Sequence, residues 1–195
     1  MIDSEVAEAI EAKEDLRPNF AILIGGGTVV ALMSGLFLPW PAAIASTVLG
    51  ALMIAGADVD ARTFLLPDTV TWGAVAVGIV AAPLLVVDDP WLAVSSAVVR
   101  ALSTALVLEL LRRFYARVRR REGLGFGDVK LGAAVGAWLP LDVMPLCFSL
   151  AASAALVAVM VAHLRGETIE GATKLPFGAF LCPALWLVFY ASALP

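Results

Sequence analysis

Charge is scarce in this sequence, and cysteine and histidine are scarcer. Only 15% of its 195 residues are Asp, Glu, Lys or Arg, against about 25% in an average soluble domain. Its two cysteines, Cys147 and Cys182, lie inside apolar runs and form no CxxC pair. That spacing excludes a zinc ribbon and a disulfide framework and leaves them as small buried hydrophobes. The single histidine, His163, ends an apolar run with no ligand partner nearby, so no metal site and no cofactor are expected. A basic opening segment is also missing. The first eighteen residues carry Glu5, Glu8, Glu11, Glu14 and Asp15, the reverse of a signal peptide. Nothing points to a nucleic-acid partner.

What the chain has instead is apolar length. Hydrophobic residues make up 61% of it, and its mean hydropathy is +0.94. One core cannot bury that much, and the residues fall in long runs, as a membrane solvent demands. Six runs reach or approach the roughly 17–20 residues of a spanning helix: Asn19–Leu38, Ala42–Val59, Thr69–Val87, Trp91–Leu111, Val143–Ala162 and Phe177–Leu194. A seventh, Asp128–Leu139, is apolar but short. The breaks at Pro39-Trp40-Pro41, Asp88-Asp89-Pro90 and Pro140-Leu141-Asp142 read as hairpin turns, since proline ends helices and aspartate favours turns.

Alternate loops differ sharply in charge. The N-terminus and residues 60–68, 112–127 and 163–176 hold Lys13, Arg17, Arg62, Arg112, Arg113, Arg117, Arg119, Arg120, Arg121, Arg165 and Lys174. The opposite loops hold Asp88, Asp89 and Asp142 and no Lys or Arg. The positive-inside rule therefore orients the chain N-in and C-out. The expected architecture is an all-α polytopic membrane bundle of about seven transmembrane segments, with a polar cytoplasmic tail over residues 1–18 and a membrane domain over 19–195. Trp40, Trp91 and Trp138 lie beside the outer turns, where an aromatic belt sits. The cluster from Arg112 to Arg121 reads first as a topology determinant and an anchor to anionic membrane lipids. Gripping a substrate is the second reading.

Carboxylates at membrane depth are costly, and function is their default explanation. Asp60 follows the second run, and Asp128 opens the short one after Gly123-Leu124-Gly125-Phe126-Gly127. About twelve residues rise only about 18 Å, short of a hydrocarbon core about 30 Å thick. Asp128 is thus expected below the cytoplasmic surface, at the positive end of its helix dipole. Irregular backbone at that depth is tolerated where it is buried or lines a wet cavity, and glycines there allow a peptide to approach closely. Two carboxylates in such a cavity do not both ionise readily. One can activate water while its protonated partner polarises a peptide carbonyl. A Gly-x-Gly-Asp string alone is a weak signal for this, because glycine turns before helices are common.

Taken together, the two segments resemble the prepilin peptidase (type IV leader peptidase) family of Gly-x-Gly-Asp aspartic proteases, which includes the archaeal preflagellin peptidases. The family's first motif has its catalytic Asp seven residues before a Pro followed by Asp or Asn. Here Asp60 stands seven before Pro67, with Asp68 next. Its second motif is similar to Glu122-Gly123-Leu124-Gly125-Phe126-Gly127-Asp128-Val129-Lys130 throughout. A third stretch, Leu175-Pro176-Phe177-Gly178-Ala179-Phe180-Leu181, resembles the opening of the family's last helix. The similarity covers roughly residues 42–185 in order. The resemblance implies an endopeptidase of the bacterial inner membrane, active in type IV pilus assembly and protein secretion. It would cut the basic leader from prepilins or pseudopilins on the cytoplasmic side, ahead of the substrate's apolar helix. Asp60 and Asp128 would be catalytic, with Asp68, Gly125, Gly127 and Lys130 as supporting motif residues. Many bacterial members also carry an N-terminal cysteine-bearing domain that methylates the product. With no CxxC pair here, a peptidase-only short form is expected, without methyltransferase activity. The resemblance leaves the oligomeric state open.

Plainer readings compete at several positions. Asp58 is a near neighbour of Asp60, and only the spacing to Pro67 separates them. Asp68 is also well explained as an N-cap, and Lys130 as a snorkelling cation. Arg100, about mid-membrane, is expected to stabilise the bundle or reach outward to Asp88 or Asp89. Glu109 and Glu122 are candidate contacts for a basic leader. A small proton-coupled transporter is the alternative from another class, but it calls for paired broken helices in two similar halves, and no internal repeat is evident.

Overall fold

In a computed structural model the chain is described at residues 16–86, 88–120, 123–165 and 175–195. Glu122 and most of the expected polar tail lie outside the described residues. Among the described residues seven helices run in order: α1 Phe20–Phe37, α2 Trp40–Thr63, α3 Asp68–Leu85, α4 Pro90–Arg119, α5 Phe126–Trp138, α6 Met144–Leu164 and α7 Phe177–Ser192. Five of them, α1 to α4 and α6, are long and apolar enough to cross a membrane, and α7 is a shorter apolar helix. The architecture is the all-helical, polytopic bundle that the hydropathy pattern predicts.

Proline and aspartate set the turns as expected. Pro39 caps α2, and Pro41 lies in its first turn. The Asp89 side chain accepts from the Leu92 N–H at 3.0 Å, with Pro90 opening α4. Proline is suited to this place because its missing N–H is one that a first turn leaves unpaired anyway.

Two helices outrun their apolar stretches. The expected second span stops at Val59, but α2 continues through Asp60 to Thr63 and ends on Phe64 in the left-handed region, φ 56°. The fourth stops at Leu111 by hydropathy, but α4 continues to Arg119. Its extra turns, residues 112–119, hold four arginines and Ala116, good helix formers, so the helix carries on where the apolar run ends.

The short helix α5 is the centre of the bundle and packs on α3, α4 and α7, with a smaller contact to α6. Every residue from Val129 to Leu139 is buried except Lys130. A helix apolar on all sides is one enclosed on all sides, and small residues let its neighbours come close. Gly136 meets the backbone of α4: a Cβ there would press on the Arg100 carbonyl and lie 2.8 Å from the Ala101 Cα. Small residues at such contacts are how helices associate in lipid, where water supplies no driving force between them. At the C-terminal end of α5 the Trp138 Nε1–H donates to the Ala74 carbonyl at 2.8 Å, and its ring meets Phe189 edge-on at 5.0 Å.

Helix α1 packs chiefly on α2 and turns Phe20, Leu36 and other large apolar side chains outward. Ser34 makes a buried polar contact within the apolar zone, its hydroxyl donating to Ser46 at 2.8 Å; Trp186 of α7 donates to the same Ser46 oxygen at 3.1 Å.

Candidate active site

Asp60 lies in the last turn of α2, a place the helix dipole makes unfavourable for a carboxylate. Its compensation comes from another helix. Asp60 Oδ2 accepts from the Ala179 N–H at 2.8 Å, and the Gly178 N–H is also directed at the carboxylate. These N–H groups open α7, whose own N-cap, Pro176, contributes no side-chain cap, although the Ala179 N–H is shared with the Pro176 carbonyl at 3.2 Å. Asp60 is thus a capping carboxylate supplied from across the bundle, and it is buried. Gly178 is required by the close approach: a Cβ would lie 2.8 Å from Asp60 Oδ2.

Asp128 is half-buried in the first turn of α5. It is the third helical residue rather than the first, because α5 begins at Phe126. From there Oδ2 reaches back to accept from the Gly125 N–H at 3.2 Å. Both carboxylates therefore face the positive end of a helix, Asp60 that of α7 and Asp128 that of its own α5. They are close enough for the charge of Asp60 to act on Asp128, and both act on Cys182, a fully buried thiol of α7.

Leu66, from the loop between α2 and α3, closes the arrangement. A Cβ on Gly127 would lie 3.1 Å from the Leu66 Cβ, and one on Gly178 would meet the Leu66 Cδ1. One leucine therefore packs against the starts of both α5 and α7.

The supporting residues are accounted for differently than the sequence suggests. Asp68 is the first residue of α3, with Pro67 as the cap, so it is not an N-cap. Its carboxylate forms an ion pair with Lys130 instead. Lys130 does not snorkel free: it also lies over the Phe126 ring, 4.8 Å from the centroid. Arg100 does not extend to Asp88 or Asp89. It donates to the Gly136 carbonyl at 3.2 Å and to the Ser96 hydroxyl at 3.0 Å, tying α4 to α5. Glu109 is bound by Arg112 at 2.8 Å and Arg113 at 2.6 Å on its own helix. The i, i+3 and i, i+4 spacings that make those pairs were legible in the sequence. A cleft of about 430 Å³ lined by Arg112, Arg113, Ala116 and Arg117 includes neither aspartate in its wall. Among the described residues no group of three His, Cys, Asp or Glu side chains is placed to hold a metal ion.

Sequence reasoning missed the contribution of the Gly178 and Ala179 N–H groups. Their signal was present in the Pro-Phe-Gly stretch, which reads as a helix start, but the chain does not say which acid would meet it.

The family model described as the type IV leader peptidase family matches residues 47–161, a stretch containing both aspartates. A prepilin leader peptidase/N-methyltransferase of Burkholderia pseudomallei is 32% identical over 82% of this chain and 50% of its own length. One from Dickeya chrysanthemi is 34% identical over 78% of this chain and 55% of its own. The leader peptidase HopD of Escherichia coli is 35% identical over 69% of this chain and 84% of its own length. The chain thus spans about half the length of the N-methyltransferase relatives it matches. No solved structure gives a significant match. On the family match and on these relatives, the chain belongs to the type IV leader peptidase family.

Proposed function

We propose that this chain is an aspartic endopeptidase that removes the basic leader from type IV prepilins or related pseudopilins. The reaction takes place at the cytoplasmic face of the bacterial inner membrane, with Asp60 and Asp128 as the catalytic pair and no metal involved. The observation that carries the reading is that two carboxylates from separate helices, Asp60 against the start of α7 and Asp128 at the start of α5, lie at helix starts that pack on the same Leu66.

The chemistry follows from that arrangement. A water molecule lies between the two carboxyl groups. The ionised one takes its proton while the oxygen attacks the scissile carbonyl carbon, and the protonated one donates to the carbonyl oxygen. The resulting gem-diol collapses as the leaving nitrogen takes a proton from the carboxyl that received it, the other carboxylate takes back a proton from a diol hydroxyl, and the C–N bond breaks. The N–H groups of Gly178 and Ala179 hold Asp60 in one orientation and favour its charged form during attack. Helix dipoles of α5 and α7 favour negative charge in the same place.

The topology supports a cytoplasmic site. Arg62 follows Asp60 on α2, and Arg112, Arg113, Arg117 and Arg119 end α4 with Arg120 as its C-cap, on the side the positive-inside rule makes cytoplasmic and facing anionic lipid headgroups. That orientation is N-in and C-out. Glu122 is a contact for the basic leader. Glu109 contributes only by exchanging Arg112 or Arg113 for a leader cation. Methyl transfer is not part of the proposal.

Co-expression of the chain with prepilin-type precursors in a host lacking its own leader peptidase tests the reading. A mobility shift with a new N-terminus at the junction of leader and apolar helix is expected. Precursors left at full length, with the chain present in the membrane, would overturn it.

A further inference from the structure

Each of the two aspartates has a charged residue two positions away on its own helix. Asp58 precedes Asp60 on α2, and Lys130 follows Asp128 on α5. Two residues turn a helix by about 200°, so Asp58 and Lys130 point from nearly the opposite side of the turn that presents each aspartate. Both are fixed there by contacts to other helices.

The Asp58 side chain is only 7% exposed. Its Oδ2 accepts from the Asn19 N–H at 2.7 Å and from Arg62 at 2.8 Å, and the same Arg62 nitrogen donates to the Arg17 carbonyl at 2.8 Å. The end of α2 is therefore fastened to the start of α1. An Asp–Arg pair four apart on one helix needs no further explanation by itself. The burial and the partner 39 residues away do.

Lys130 is the one residue from Val129 to Leu139 that is not buried. A charge in such a stretch has to be matched by a partner, and its partner is Asp68 at the start of α3. The Phe126 ring, which opens α5, lies beneath Lys130 and also beneath Arg112 of α4, 5.5 Å from the centroid. The first turn of α5 is thereby held against α3 and α4 together.

We propose that Asp58 and Lys130 are positioning residues: each braces, from the back of the turn, the aspartate two positions away, so that the pair stays in register across the bundle. Asp58 is then not a catalytic acid, and the Asp68–Lys130 pair acts through Asp128 without touching substrate. The proposal rests on the reading of Asp60 and Asp128 as the catalytic pair, and its test has one arm that needs no activity.

That arm is amide hydrogen exchange on the full chain in lipid nanodiscs. Lys130→Gln is expected to speed exchange tenfold or more in peptides covering the start of α5 and the start of α3 that it pairs with, and Asp58→Ala in those covering the end of α2 and the start of α1, with the remaining helices unchanged. Equal exchange at those turns, or acceleration spread over the whole bundle, would overturn the bracing role. The second arm measures cleavage of a prepilin-type substrate. Each single variant should lower kcat tenfold or more with KM within twofold of the wild type. The exchanged pair, Asp68→Lys with Lys130→Asp, should recover at least a third of the wild-type kcat. Equal kcat in the single variants, or kcat and KM changing together, would overturn the proposal. An inactive wild-type chain would count against the peptidase reading alone, and the exchange arm would still decide the bracing.

Discussion

The approach of Asp60 to the start of α7 makes Gly178 the most exacting position outside the acids themselves. Replacing it with alanine adds one methyl group and leaves every charge and hydrogen-bonding atom in place. That methyl would lie 2.8 Å from Asp60 Oδ2 and 3.0 Å from its Cγ, and would also press on the Leu66 Cδ1. Ordinary contact begins at 3.4 Å, so the carboxylate or the start of α7 must give by about 0.6 Å. Overpacking of this kind costs about 1–3 kcal/mol of stability. A catalytic group displaced by about 1 Å loses on the order of a hundredfold in rate, so a fall of roughly ten- to a hundredfold in kcat/KM is expected. The assay is leader cleavage by purified enzyme in nanodiscs, with thermal unfolding on the same preparation. Gly25→Ala and Gly27→Ala are the controls, because a Cβ at either meets nothing within 4 Å. Both should leave cleavage within twofold of wild type and stability unchanged or slightly raised. A Gly178→Ala enzyme with wild-type kcat/KM would refute the close apposition of Asp60 and α7.

Gly136→Ala should be worse tolerated than most helix substitutions, because the new methyl meets the Arg100 and Ala101 backbone and not a movable side-chain tip. A loss of about 1–3 kcal/mol or more, read as a lower unfolding temperature in detergent, is expected. Trp138→Phe removes the donor to the Ala74 carbonyl and should cost about 0.5–1.5 kcal/mol while leaving KM unchanged; a shifted KM would mean that the C-terminal end of α5 contacts substrate. Chelators added to the active enzyme should leave cleavage unaltered, and loss restored by a divalent ion would contradict metal-independent chemistry.

Much of this fold is visible in the order of residues because membrane spans declare themselves through length and composition. Pro39, Pro90 and Pro140 mark turns for local reasons, and those turns fall where expected. The ends of α2 and α4 were less legible. Hydropathy reports where a helix leaves the apolar phase, whereas Arg112 to Arg119 and Asp60 to Thr63 remain good enough helix formers to continue past that boundary. The two aspartates stand out in sequence through their spacing to Pro67 and the glycines before Asp128. Their partners do not. That Asp60 meets the N–H groups of α7, that Asp68 turns to Lys130 and that Arg100 finds the Gly136 carbonyl are facts of tertiary packing between residues 36 or more apart. Glu109 is the opposite case, since its arginine partners lie one turn away and could be read directly.

The most direct test is cleavage by Asp60→Asn and Asp128→Asn, each made alone. Asparagine keeps an oxygen that can accept from the Ala179 or Gly125 N–H, so the bundle should insert and fold as before. Removing one member of an acid–base pair should lower cleavage by at least about 10²–10⁴-fold. The account requires that loss in both variants, with wild-type levels of membrane-inserted protein. Full activity in either one would contradict it.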